Sequence, residues 1–114
     1  MSELNNGIGK EIIRGHIDTI VLRLLEEQDR YGYDVYKTVL ERSGGAYELK
    51  EPSLYSAFRR LEAQGYIKAY WGEESQGGRR KYYAISETGR AYFMKSRKEW
   101  QEIKKILDIL IGEE

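Results

Sequence analysis

The 114-residue sequence contains no cysteine. That removes a disulfide framework, a thiol nucleophile and a thiolate metal site together. A single histidine, His16, leaves no multi-histidine metal site either. Proline occurs once, at Pro52, so helices elsewhere run without an imposed break. No apolar run approaches the length of a membrane span. The opening MSELNNGIGKE has no basic-then-apolar signal pattern, so a cytoplasmic protein without membrane contact is expected. Net charge is also absent, with 19 Lys plus Arg against 19 Asp plus Glu. This argues against a polybasic coat but leaves room for a local basic face. No phosphate loop, metal motif or Ser–His–carboxylate spacing is present. Adjacent acids such as Glu26-Glu27 and Glu73-Glu74 carry no mark of a catalytic pair. An enzyme, a cofactor and a bound metal are therefore not expected.

The chain has the size of one domain and can bury a real core. Residues 1–9, with Asn5, Asn6, Gly7 and Gly9, form a loose lead-in. Ile13, Ile17, Ile20, Val21, Leu24 and Leu25 recur at helical spacing, which predicts a first helix over about 10–28. Gly15 within it costs stability unless something packs closely there. Val35, Tyr36, Val39 and Leu40 predict a second helix over about 32–42, stopped by Gly44-Gly45. A short extended piece is expected at 47–50. Glu51-Pro52 then opens a third helix, with Leu54, Phe58 and Leu61 on its buried face and Gly65 at its end. Residues 66–72 and 79–85 alternate and read as two strands of a hairpin, joined by a polar turn holding Gly77 and Gly78. Ser86 caps a last helix reaching about Ile111. Along it Phe93, Trp100 and Leu107 fall seven apart, with Ile103 and Leu110 three further on and polar Ser96 at one inward position. That is a coiled-coil-like seam.

Three helices followed by a β-hairpin is the order of a winged helix-turn-helix. The expected class is α+β, with a DNA-binding domain over 1–85 and a dimerisation helix over 86–114. The third helix is small enough for a DNA major groove, and the hairpin extends beside it. From Lys50 to Lys81 seven positive residues face four negative ones, a balance of +3, so the remainder sums to −3. The neutral total hides a basic reading half. A long amphipathic end helix most simply pairs with a second copy, and a two-fold dimer would offer two recognition helices to an inverted-repeat DNA site.

The chain resembles the PadR family of bacterial transcriptional regulators along nearly its whole length. The resemblance rests on IIRGHIDTIVLRLL, YGYDVYKTV, EPSLYSAFRRLEAQGYI, GGRRKYYAISETGR and the EW element at Trp100. It implies a homodimeric DNA-binding repressor whose single C-terminal helix exchanges contacts with the partner's first helix. Among its members the chain is most similar to the multidrug sensors. Those take planar aromatic compounds between paired tryptophans at the dimer interface, and Trp100 falls where that tryptophan sits. Ile17, Ile103 and Lys104 join it as candidate ligand contacts. Lys104 is a departure, because a carboxylate there would favour cationic compounds, so neutral or anionic aromatic effectors are as well accommodated.

Each candidate also has a plainer reading. Ser53, Tyr55 and Ser56 near the start of the third helix suit base edges or phosphates, or are simply a solvated face. Arg59 and Arg60 suit phosphate, or pair with Glu62 or Glu51 on their own helix. Arg79, Arg80 and Lys81 at the wing base suit the DNA backbone, or guard a sheet edge. Being consecutive, the three cannot all point to one side. Trp100 is a ligand plate, dimer core, or both. His16 is expected at the surface or partly packed. Two other functions stay open at this point. One is a ligand-independent repressor with a solid Trp100 seam. The other is a winged-helix protein–protein module that does not bind DNA.

Overall fold

The computed structural model describes residues 8–73 and 78–112. The lead-in at 1–7 and the turn residues 74–77, Gly77 included, lie outside the described residues. In chain order the elements are α1 (Ile8–Arg14), α2 (Ile17–Glu27), β1 (Arg30–Tyr31), α3 (Gly32–Arg42), α4 (Glu51–Ala63), β2 (Ile67–Trp71), β3 (Lys81–Ile85) and α5 (Glu87–Ile111).

The first apolar-periodic segment is two helices rather than one. At Gly15 the amide is shared between the carbonyls of Glu11 and Ile12, at 3.3 and 3.2 Å, and the His16 amide donates to Ile13 at 2.8 Å. The turn tightens, the first helix closes, and α2 restarts at Ile17. Glycine is the cheapest place for this, since it gains least from staying helical. The start of α1 also falls inside the stretch expected to be loose.

The sheet departs from expectation in a second way. Residues 47–50 pair with no strand, and the third strand is instead Arg30–Tyr31. The strand order is β1-β3-β2, all antiparallel, with Arg30 opposite Tyr83, Tyr31 opposite Tyr82, and Tyr70 opposite Tyr82 from the other side. Two residues carry too little periodicity to be read as a strand, and β3 supplies the template that makes them one. Tyr47 and Leu49 serve the core instead. Arg79 and Arg80 precede β3 rather than belonging to it.

The core gathers Val21, Leu22 and Leu25 of α2, Val35 of α3, Leu54, Phe58 and Leu61 of α4, Ile67 and Tyr83 of the sheet, and Phe93 of α5. Phe58 and Tyr83 stack with centroids 3.8 Å apart, which locks α4 onto the sheet. The start of α5 is fixed as expected, with the Gly89 amide donating to the Ser86 hydroxyl at 3.0 Å. Gly89 has a second reason to be glycine: a Cβ there would collide with the backbone carbonyl of Tyr66. So α5 leaves the sheet at close range, buries Phe93, and then carries its remaining apolar residues outward.

Candidate nucleic-acid interface and apolar cavity

Amphipathic spacing sets α4. Leu54, Ala57, Phe58 and Leu61 face the core, which turns Ser53, Tyr55, Arg59 and Arg60 outward and leaves Ser56 half-buried. Tyr55 is held on both sides. Its ring meets the edge of Phe58 at 5.4 Å, and it lies so close to Gly32 that a Cβ there would overlap the phenol. Gly32 opens α3, so a glycine there lets α3 and α4 approach around the tyrosine. Ser56 accepts from Arg59 at 3.1 Å.

Arg60 has a partner other than those expected. Its guanidinium donates to Asp18 of α2 at 2.6 and 3.3 Å, not to Glu62 or Glu51. The Asp18 carboxylate holds the Arg60 proton more tightly than usual. Arg60 therefore braces α4 against α2. Beside it, Arg14, Ser53, Ser56 and Arg60 border an open hollow of about 480 Å³. Arg14 was not a sequence candidate. It reaches the start of α4 only because the chain turns at Gly15, and nothing local in the sequence marks it.

The three wing cations go to three different rings. The guanidinium carbon of Arg79 lies 5.3 Å from the centroid of Trp71, and that of Arg80 lies 4.7 Å from Tyr31. The Lys81 ammonium lies 5.8 Å from Tyr83. All three are exposed.

A second site lies between α1, α2, α3 and α5. An apolar cavity of about 650 Å³ is lined by Ile13, His16, Ile20, Phe93 and Trp100, with Arg23, Arg42 and Arg97 among its polar residues. Its lining includes no carboxylate among the described residues. The rings of His16 and Trp100 meet at 4.7 Å, tilted by 60°. Of the expected ligand contacts, only Trp100 lines this cavity. Ile17 is buried in the core, and Ile103 and Lys104 lie exposed further along α5. His16, at the α1–α2 junction, takes the place on the Trp100 face that Ile17 was expected to hold. Ile17 points the other way because the break at Gly15 re-phases the helix.

Beside the cavity runs an ion-pair network of which only Arg30 is buried. Arg30, 6% exposed, donates to the Leu24 carbonyl at 2.9 Å, to Glu27 at 2.8 Å and to Asp34 at 3.1 Å. Arg42 reaches the same Glu27 at 2.7 and 2.9 Å. The Arg42 hydrogen bond, aided by Arg30 and Arg23, lowers the Glu27 carboxyl from 4.5 to about 2.

Among the described residues no group of side chains suits a metal ion, and no helix is long and apolar enough to cross a membrane. The sequence profile of the Transcriptional regulator PadR-like family matches residues 21–95, which span α2 through the first turns of α5. The chain belongs to the PadR-like family. A transcriptional regulator from Clostridium thermocellum has a similar structure, with 43% identity and a TM-score of 0.85 over 93% of this chain and all of that one. A PadR family transcription regulator of Clostridium difficile matches with 39% identity and a TM-score of 0.77, over 86% of this chain and all of that one. An uncharacterized protein of Lysinibacillus sphaericus is 45% identical over 91% of this chain and 95% of its own length. PadR-like proteins are transcriptional regulators rather than enzymes. Membership supports a DNA-binding regulator in which α2, α3 and α4 with the β2–β3 hairpin form the winged helix and α5 is the C-terminal helix.

Proposed function

We propose that this PadR-like protein is a dimeric repressor that binds an inverted-repeat operator. The observation that carries the reading is α4: its apolar face is spent on the core, and its start presents Ser53, Tyr55 and Ser56 with Arg59 alongside. In the complex, the two copies of α4 enter successive major grooves. At least one of Arg79, Arg80 and Lys81 meets the flanking backbone. Residues 1–85 serve as the DNA-binding unit and residues 86–114 as the dimerisation helix, packed against the partner's first helix. The Trp100 cavity receives a planar aromatic effector, and Ile103 and Lys104 reach it from the dimer seam. An effector acts through its differential affinity for two states, so it relieves repression by favouring a separation of the α4 helices that no longer fits DNA.

Fluorescence anisotropy of the duplex upstream of its own gene, titrated at two salt concentrations against a shuffled duplex, tests this. The expected outcome is tight binding that prefers the native duplex and weakens steeply with salt. Weak, equal binding to both duplexes would favour a protein-binding winged helix instead.

A further inference from the structure

Arg79 and Arg80 differ from the arginines beside Ser53 and Ser56. Arg60 is committed to Asp18 and Arg14 to Glu11. Among the described residues Arg79 and Arg80 form no ion pair, and each guanidinium lies over an aromatic ring instead. A guanidinium carries five N–H donors in a fork that matches a phosphate. Ion pairing would consume those donors, whereas a contact with a ring leaves them without a competing carboxylate.

The ring under Arg80 is anchored to the body of the protein. Tyr31 lies in β1, opposite Tyr82, and the two rings meet edge-on at 5.5 Å. Tyr82 stacks on Tyr70 at 5.7 Å, and the Tyr70 hydroxyl donates to Asp29 at 2.5 Å. Asp29 and Tyr31 flank the buried, fully engaged Arg30. The Arg80 backbone is held as well, its carbonyl accepting from the Gly72 amide at 2.7 Å. Arg79 has a separate support in Trp71, a residue that is 56% exposed and so is held there by little of the core.

We propose that Tyr31 and Trp71 are positioning residues for DNA binding, holding the guanidiniums of Arg80 and Arg79 over their rings so that their donors are ready for backbone phosphates. This rests on the DNA-binding reading above. The benefit is preorganisation: a long, rotamer-rich side chain already held in place loses less freedom when it meets its phosphate.

A double-mutant cycle tests it, with the anisotropy of the labelled duplex upstream of the gene as readout and thermal unfolding of each variant as control. Tyr31→Leu is expected to weaken binding about two- to five-fold. Tyr31→Phe, which keeps the ring face, is expected to stay within about two-fold of wild type. In an Arg80→Ala background, Tyr31→Leu should cost nothing further. Trp71→Leu and Arg79→Ala form a second cycle at an exposed position, where folding is not at stake. Equal losses from Tyr31→Leu with and without Arg80, and from Trp71→Leu with and without Arg79, would overturn the positioning role. So would silent Tyr31→Leu and Trp71→Leu variants alongside weakened Arg80→Ala and Arg79→Ala. If wild type shows no salt-sensitive duplex binding, the DNA reading itself falls, and the role proposed for the rings falls with it.

Discussion

Arg30 is the one charged side chain in the core among the described residues, and it shows how a buried charge is made tolerable here. Its guanidinium reaches a carbonyl, two carboxylates and the Thr38 hydroxyl, so its desolvation is offset by charge-assisted bonds on every side. Glu27 is shared with Arg42, which ties α2, β1 and α3 through one carboxylate. The folded carboxyl ionises at about 2 against an ordinary 4.5. Its contribution is therefore complete above pH 4.5 and is lost as the pH falls toward 2. Glu27→Gln is expected to destabilise the fold at neutral pH by about 0.5–1 kcal/mol, since Glu27 is exposed and its ion pairs are screened by solvent. It should also flatten the acid limb of stability, as denaturant unfolding at several pH values would report. An acid limb unchanged by the substitution would mean the Glu27 bonds contribute little.

Among the elements, α5 spends its apolar residues in two different ways. Phe93 is 2% exposed and belongs to the core, whereas Leu107 is 42%, Leu110 75% and Ile109 79% exposed. The apolar positions that follow Trp100 therefore have no cover among the described residues. Such a run calls for a partner surface, and the seven-residue spacing suits a second copy of itself. Leu107→Asp is expected to yield monomers in sedimentation velocity with the helical circular-dichroism signal of the winged body retained. A variant that still sediments as a dimer would place the seam elsewhere. The short elements teach the opposite lesson. The strand β1 and the α1–α2 break are each about two residues long, below the reach of any periodicity, and each is decided by a neighbour or by a single glycine.

As a whole the molecule measures 52 × 33 × 20 Å, elongated rather than spherical. The apolar cavity opens between four helices, and Trp100 with its His16 contact lies at its α5 side. In the proposed dimer, a molecule bound in this cavity at the root of α5 would bear on the seam, and hence on the distance between the two copies of α4. Trp100→Ala is expected to abolish quenching of tryptophan fluorescence by a planar aromatic dye, leaving only the signal of Trp71. An unchanged titration would put the dye somewhere other than this cavity.

The long elements were legible without coordinates. The buried faces of α3 and α4, the β2–β3 hairpin, the Ser86 cap and the reach of α5 follow from spacing and capping chemistry, which act within a turn or two of the chain. The family was legible as well, because its motifs are local strings. What could not be read there depended on residues far apart in sequence. Arg60 found Asp18 across 42 positions, and Tyr70 found Asp29 across 41. The core position of Ile17, the placing of His16 against Trp100 and the arrival of Arg14 beside Ser53 all follow from one bend at Gly15. Side-chain pairing of this kind is settled by packing, which selects among partners that composition and periodicity leave equivalent.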